Sequence, residues 1–119
     1  RKGSMEKKYD LSERLEDFAA EIVQLYDKKP VSFAREYLAK QLIRSACSSA
    51  LNYGEALGAG TQKDKINKLR IVLKELRESL RNLNIQFKAK LISEKQASTL
   101  VDENDQLIRI IVTRIKNLD

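Results

Sequence analysis

Histidine and tryptophan are absent from this 119-residue sequence, cysteine, proline and methionine occur once each, and glycine occurs four times. Without histidine the chain lacks the side chain that most often serves as general base, proton shuttle and metal ligand near neutral pH. The carboxylate-bridged metal pairs that helical bundles hold need a histidine three residues after a glutamate, so that site is excluded too. No metal and no cofactor is expected. "GEALGAG", Gly54 to Gly60, lacks the lysine and the serine or threonine of a phosphate-binding loop. A non-enzymatic protein is the expectation.

Cys47 stands alone, so no disulfide can form within the chain, and it reads as a small packing residue. The first thirty residues show no positively charged start followed by an apolar run, and a cytoplasmic location is expected. No apolar stretch reaches the roughly 18 residues of a membrane span. Even Leu107 to Ile115 is interrupted by Arg109, Thr113 and Arg114. Residues 1–4 read as an expression-tag remnant before a start at Met5, leaving 5–119 as one domain. Without Arg1 and Lys2 the formal charge falls from +6 to +4.

What remains is helical. The few glycines and the single proline fall mostly where helices stop, and no strand-like alternation competes. A first helix is predicted over about 11–28, capped by Asp10 with Glu13 three residues on, carrying Leu11, Leu15, Phe18, Ile22 and Leu25, and ended by "KKP". A second runs over 33–57 from Ser32 as cap to "GAG", whose glycines supply left-handed or flexible positions. A third, over 62–89, opens with "TQKD" and shows Ile66, Leu69, Leu73, Leu76, Leu80, Leu83 and Phe87 in heptad spacing. A fourth, over 94–117, opens with the capping box "SEKQ" and presents Ala97, Leu100, Val101, Leu107, Ile108, Ile111, Ile115 and Leu118 as a stripe. Asn104 lies on that stripe, where a buried amide fixes helix register. Short connections favour antiparallel neighbours, so the fold class is all-α, an up-down-up-down antiparallel four-helix bundle.

"QLIRSACSSALNYGEALGAG", Gln41 to Gly60, departs from an ordinary amphipathic helix: Ser45 to Gly54 carries no charge. Leu38, Leu42, Ala46, Ala50, Tyr53 and Leu57 gather on one side as a core face. Gln41, Arg44, Ser48, Asn52 and Glu55 share a second arc. Gly54 costs about 1 kcal/mol relative to alanine inside a helix unless close approach compensates. These features point to a second packed surface, an oligomer interface through Gln41, Arg44, Ser48, Asn52 and Glu55. The bland alternative is a solvated polar face.

The matching residues Gln41, Leu42, Arg44, Ser45, Ala46, Ser48, Asn52, Tyr53, Glu55 and Ala56 resemble the signature helix of the bacterial 23S ribosomal RNA intervening-sequence proteins. "KLRIVLKELRES", Lys68 to Ser79, resembles their second motif, with Lys74, Glu75 and Glu78. Ser49, Ala50, Arg81 and Asn82 depart from the family pattern. The resemblance covers residues 9 to 118. It implies a homo-oligomer, in the family's form a homopentameric ring, and kinship with diversity-generating retroelement accessory proteins, whose partners are a reverse transcriptase and nucleic acid.

Ten basic and four acidic residues lie between Lys63 and Lys95, so this region holds the whole surplus of charge. Lys63, Asn67, Arg70, Lys74, Arg77, Arg81, Asn84 and Lys88 form one heptad row without an acid. Such a row can follow a phosphate backbone. Lys63, Arg70, Lys74, Arg77, Arg81 and Lys88 are therefore candidate contacts to RNA or DNA, free or in a ribonucleoprotein. No aromatic interleaves the row, so base readout is not expected from it. Glu75 and Glu78 read as surface partners for neighbouring cations. The competing readings are a solubilising surface, an accessory factor for a retroelement reverse transcriptase, and a structural oligomer with an acidic protein partner.

Overall fold

Each helix begins where a side-chain oxygen can replace the carbonyl that the missing turn would supply. Asp10 accepts from the Ser12 N–H at 2.8 Å, Ser32 from Arg35 at 3.1 Å and Thr61 from Asp64 at 3.0 Å. Ser93 and Gln96 cap each other's backbone reciprocally, at 3.1 and 3.0 Å. The computed structural model describes residues 10–28 and 32–119. It contains α1 (Leu11–Leu25), α2 (Phe33–Leu57), α3 (Gln62–Lys88) and α4 (Glu94–Leu118), with no strand among the described residues. The tag remnant, the start at Met5 and the helix stop at Pro30 lie outside the described residues.

Helix α1 ends three residues before the expected Lys28. Tyr26 leaves helical geometry (φ −117°, ψ 30°), and its N–H and that of Asp27 turn back to Val23 and Gln24 at 3.1 and 3.2 Å. The phenol is held elsewhere: it donates to Gln86 Oε1 of α3 at 2.7 Å, and the Arg35 guanidinium lies 5.4 Å from the ring centre. Burial pushes this phenol above its ordinary value of 10.0, against the opposing charge of Arg35, so it stays protonated and a donor.

Side-chain bonds between helices fix their directions. Along α2 and α3 the partners run Leu38 with Asn82, Ser45 with Ser79, Ser48 with Glu75 and Glu55 with Lys68, one sequence rising as the other falls. Gln62 reaches the Leu118 carbonyl, and Arg14 pairs with Glu103 at 2.7 Å, so α3 and α4, and α1 and α4, are likewise antiparallel. The interior combines Leu15, Phe18 and Ile22 of α1, Leu42, Ala46 and Tyr53 of α2, Leu69, Val72, Leu76 and Leu83 of α3, and Leu100, Leu107 and Ile111 of α4. Asn104 is fully buried among them. With its amide turned so that the nitrogen faces the Leu76 carbonyl, it donates there at 2.9 Å and accepts from the Leu80 N–H at 3.1 Å, which ties α4 to one turn of α3.

Several expected faces are turned. On α2 the buried row is Ala39, Leu42, Ser45, Ala46, Ser49, Tyr53 and Ala56, while Leu57 is exposed. On α3 the seam residues Ile66, Leu73 and Leu80 are only partly buried and Phe87 is 44% exposed. Val72, Glu75, Ser79, Asn82 and Gln86 turn inward instead. The reason is that α3 touches two neighbours, so its buried arc spreads from the α4 side around to α2. Gly54 has no atom within 4 Å of where a Cβ would stand, so nothing inside the chain requires glycine there. The "GAG" glycines are not left-handed; Gly58 caps α2 at φ −93°.

The left-handed cap falls to Lys90, at φ 63°. The Leu91 N–H bonds to the Gln86 carbonyl at 2.8 Å and the Lys90 N–H to Phe87 at 3.0 Å, the two bonds of a Schellman closure, in which glycine is the usual occupant. A Cβ in that region costs about 1 kcal/mol. Lys90→Gly is therefore expected to raise unfolding stability by about 1 kcal/mol, read from the midpoint of a urea titration at unchanged slope; an unchanged or lower midpoint would remove this account of the α3 terminus.

Candidate nucleic-acid interface

The outer surface of α3 follows from its inner one. With Val72, Leu76, Ser79 and Leu83 directed inward, the positions displaced around the helix carry Lys63, Asn67, Arg70, Lys74, Arg77, Arg81, Asn84 and Lys88, and all eight are exposed. From Lys63 to Lys88 the row runs about 38 Å at 1.5 Å per residue. Arg70 lies 4.0 Å from the Asp119 carboxylate. No ion pair holds Lys63, Lys74, Arg77, Arg81 or Lys88 among the described residues. The expected row is thus a continuous band of cations with one loose counter-ion. Ile71 and Ile85 stand beside it, 37% and 52% exposed.

The five residues expected to make the oligomer interface direct their hydrogen bonds to α3 or along α2 of the same chain. Arg44 bridges Glu75, at 3.3 Å, and Glu78, and its Nε faces Gln41 Oε1 at 3.4 Å. Ser48 donates to the other Glu75 oxygen at 3.3 Å, Asn52 donates to the Ser48 hydroxyl at 3.0 Å, and Glu55 pairs with Lys68 at 2.5 Å. Partial desolvation opposes the Arg44 charge, but the carboxylates of Glu78 and Glu75 outweigh it and hold its pKa above the ordinary value. Beneath this ladder the small residues of α2 meet α3 directly. The Ser45 and Ser79 hydroxyls lie 2.7 Å apart, each also near a carbonyl one turn back, and Ser49 donates to Ala46 at 2.7 Å. Ser45 and Ser49 are thus buried inside the chain.

Glu75 is corrected in its placement: it pairs with a neighbouring cation, Arg44, as expected, but from a buried position, 8% exposed, where it also accepts from Ser48. Below it a second polar chain runs from Tyr26 through Gln86 and Asn82 to the Leu38 carbonyl, with the Gln86 to Asn82 bond at 2.7 Å and the last bond at 3.0 Å. No buried side-chain polar atom among the described residues lacks a partner. Sequence reasoning missed this row, although Glu75, Ser79, Asn82 and Gln86 recur three and four residues apart in step with Val72.

Acidic groups occupy the other side of the molecule. Asp17, Glu21, Asp102 and Glu103 line a groove of about 440 Å³ between α1 and α4, along with Arg14, which reaches both Glu103 and Gln106. No three His, Cys, Asp or Glu side chains converge as a metal site among the described residues. At the far end of α2, Tyr53, Ala56, Leu57, Leu69 and Leu118 border a cleft of about 200 Å³, where Arg114 donates to the Tyr53 hydroxyl at 2.9 Å. No described helix is long and apolar enough to cross a membrane.

Comparison with known proteins fits this architecture. A family model described as 23S rRNA-intervening sequence protein matches residues 7–113. No curated protein sequence matches significantly. A crystal structure at 1.70 Å of a protein of unknown function, from the S23 ribosomal protein family of Bacteroides thetaiotaomicron VPI-5482, is similar to this chain with a TM-score of 0.81. The two are 27% identical, over 90% of this chain and 99% of that one.

The ladder carries a stability test. Arg44 is half exposed, so its pairing with buried Glu75 is worth less than a fully buried ion pair. Arg44→Ala is expected to destabilise the fold by about 1–2 kcal/mol, because it leaves a buried carboxylate with only Ser48. In a double-mutant cycle with Glu75→Gln the two changes should couple by about 1 kcal/mol. Strict additivity in urea unfolding would show that the pair contributes nothing.

Proposed function

The chain belongs to the 23S rRNA-intervening sequence protein family, and from that premise we propose that it is a non-enzymatic binding component that grips nucleic acid, free or within a ribonucleoprotein, through the outer face of α3. The single observation that carries this reading is the band of cations from Lys63 to Lys88, exposed along its whole length and almost without counter-ions. At about 3.4 Å per nucleotide step of a duplex strand, a row of about 38 Å spans roughly eleven steps. Backbone contacts of this kind release counter-ions and read no sequence.

The proposal includes self-association, with a ring of five copies as its specific form. What supports it is the outer row of α2. Phe33, Tyr37 and Leu51 are 85%, 55% and 70% exposed there, and the space beside Gly54 is open. Exposed apolar side chains aligned on one helix mark an interaction surface. A ring repeats the α3 band in every copy and multiplies its field.

Labelled structured RNA, duplex DNA and single-stranded DNA, titrated by fluorescence anisotropy at low and physiological salt, test the first part. Contacts from Lys63, Arg70, Lys74, Arg77, Arg81 and Lys88 predict a log–log salt slope of about −4 to −5. The triple change Arg70→Glu, Arg77→Glu and Arg81→Glu should abolish binding and leave the helical circular-dichroism spectrum intact. No binding at low salt, or unaltered affinity in the triple variant, would make the band a solvated surface and turn attention to protein partners, a reverse transcriptase among them. Light scattering at micromolar concentration tests the second part. Five times the chain mass of 13.7 kDa is expected, and a monomer would overturn self-association.

A further inference from the structure

Phe87 is the one aromatic residue of α3, and its surroundings do not suit a core residue. It sits in the last turn and is 44% exposed. Together with Ala97 and Val101 it floors a shallow groove of about 250 Å³ between the end of α3 and the start of α4, rimmed by Asn84, Glu94 and Ser98. The groove opens beside the end of the cation band. Lys88 follows Phe87 directly, Arg81 and Asn84 precede it on the exposed row, and Lys90 and Lys95 lie just beyond the helix end, all exposed. No ion pair engages Arg81, Lys88, Lys90 or Lys95 among the described residues.

We infer that this groove takes one unstacked nucleobase of a single-stranded nucleic acid, stacked on the Phe87 ring, while the flanking phosphates lie on Arg81, Lys88 and the lysines past the helix end. The inference rests on the nucleic-acid reading of α3 and adds a preference to it. The amide of Asn84, the hydroxyl of Ser98 and the carboxylate of Glu94 supply donors and acceptors for a base edge, and the apolar floor supplies the face. A paired base inside a duplex presents no free face, so the groove engages single strands, loops and bulges. The charge near it favours this occupant over an apolar protein segment: Glu94 is the one charged residue that lines the groove, and Lys88, Lys90, Lys95 and Arg81, all exposed, stand close to its lining residues in the sequence.

The test uses the full chain with a labelled uridine oligoribonucleotide, a thymidine oligodeoxynucleotide of the same length and a blunt duplex, at low salt. Phe87→Leu keeps an apolar side chain but removes the ring. It should weaken both single strands about tenfold, within the range of one lost stack, and leave the duplex unchanged. Phe87→Trp should keep wild-type affinity. Because the chain has no other tryptophan, quenching of its emission on saturation with a single strand reports the stack directly. Equal loss with RNA and DNA makes the base and backbone the ligand, and a larger loss with RNA adds the 2′-hydroxyl to the site. Undiminished single-strand binding by Phe87→Leu, or unquenched Phe87→Trp emission at saturation, overturns the inference. If binding is still lost in Arg77→Glu/Arg81→Glu, the phosphate-band reading stands without it. If the wild-type chain binds none of the three probes, both readings fall.

Discussion

Two helices approach closely only where the facing side chains are small, and closeness removes polar atoms between them from water. The α2–α3 contact works under both conditions. Ser45, Ala46 and Ser49 bring α2 close to α3, and the hydroxyls so buried must bond to each other, as Ser45 and Ser79 do, or to backbone carbonyls. Around this contact the larger polar groups arrange themselves by size: Arg44 bridges Glu75 and Glu78 at the outer edge, and Asn82 and Gln86 continue the chain toward Tyr26. A sliding of α2 along α3 would break together the bonds that cross between them: Arg44 to Glu75 and Glu78, Ser48 to Glu75, Ser45 to Ser79 and Asn82 to the Leu38 carbonyl. The orientation of α3 is fixed in this way, and the outward direction of its cation row is a consequence of that orientation.

The parts of the fold set by local chemistry were legible in the sequence. The caps Ser32, Thr61 and Ser93 accept from the N–H three residues on, as their spacing predicted, Asp10 caps α1 through the N–H of Ser12, and α2 runs from Phe33 to Leu57 as its flanking residues implied. Asn104 on an apolar stripe read as a register lock and bonds to α3 accordingly. The cation row was legible because it needs no partner to be recognised, only a heptad without acids. What escaped was set by another helix. Periodicity records apolar residues, so Glu75, Ser79, Asn82 and Gln86 read as a polar side, when their partners at Arg44, Ser45, Leu38 and Tyr26 lie 31 to 60 residues away in the sequence. Phe87 completes the leucine repeat, but it stands in the last turn of α3 at the open groove beside the start of α4, which leaves the ring 44% exposed. Lys90 hides its role for a different reason, since its left-handed backbone is a position that composition assigns to glycine.

The charges divide the molecule. Asp17 and Glu21 on α1 and Asp102 and Glu103 on α4 line the groove between those two helices, whereas the band lies on α3, which packs against α2 and α4 and not against α1 among the described residues. A polyanion approaching from solution meets attraction from one side and repulsion from the other, so orientation begins before contact.

The order of the helices also governs how the chain reaches this state. The α2–α3 and α3–α4 contacts join segments adjacent along the chain, separated by short turns, so each pair closes a small loop before gaining its contacts. Proteins built from such local pairings have low contact order and fold fast, on the microsecond-to-millisecond scale typical of helical bundles. The pairing of α1 with α4 is different, since Arg14 and Glu103 are 89 residues apart. That pairing closes the longest loop of the fold, and it falls to α1, the shortest of the four helices at 15 residues.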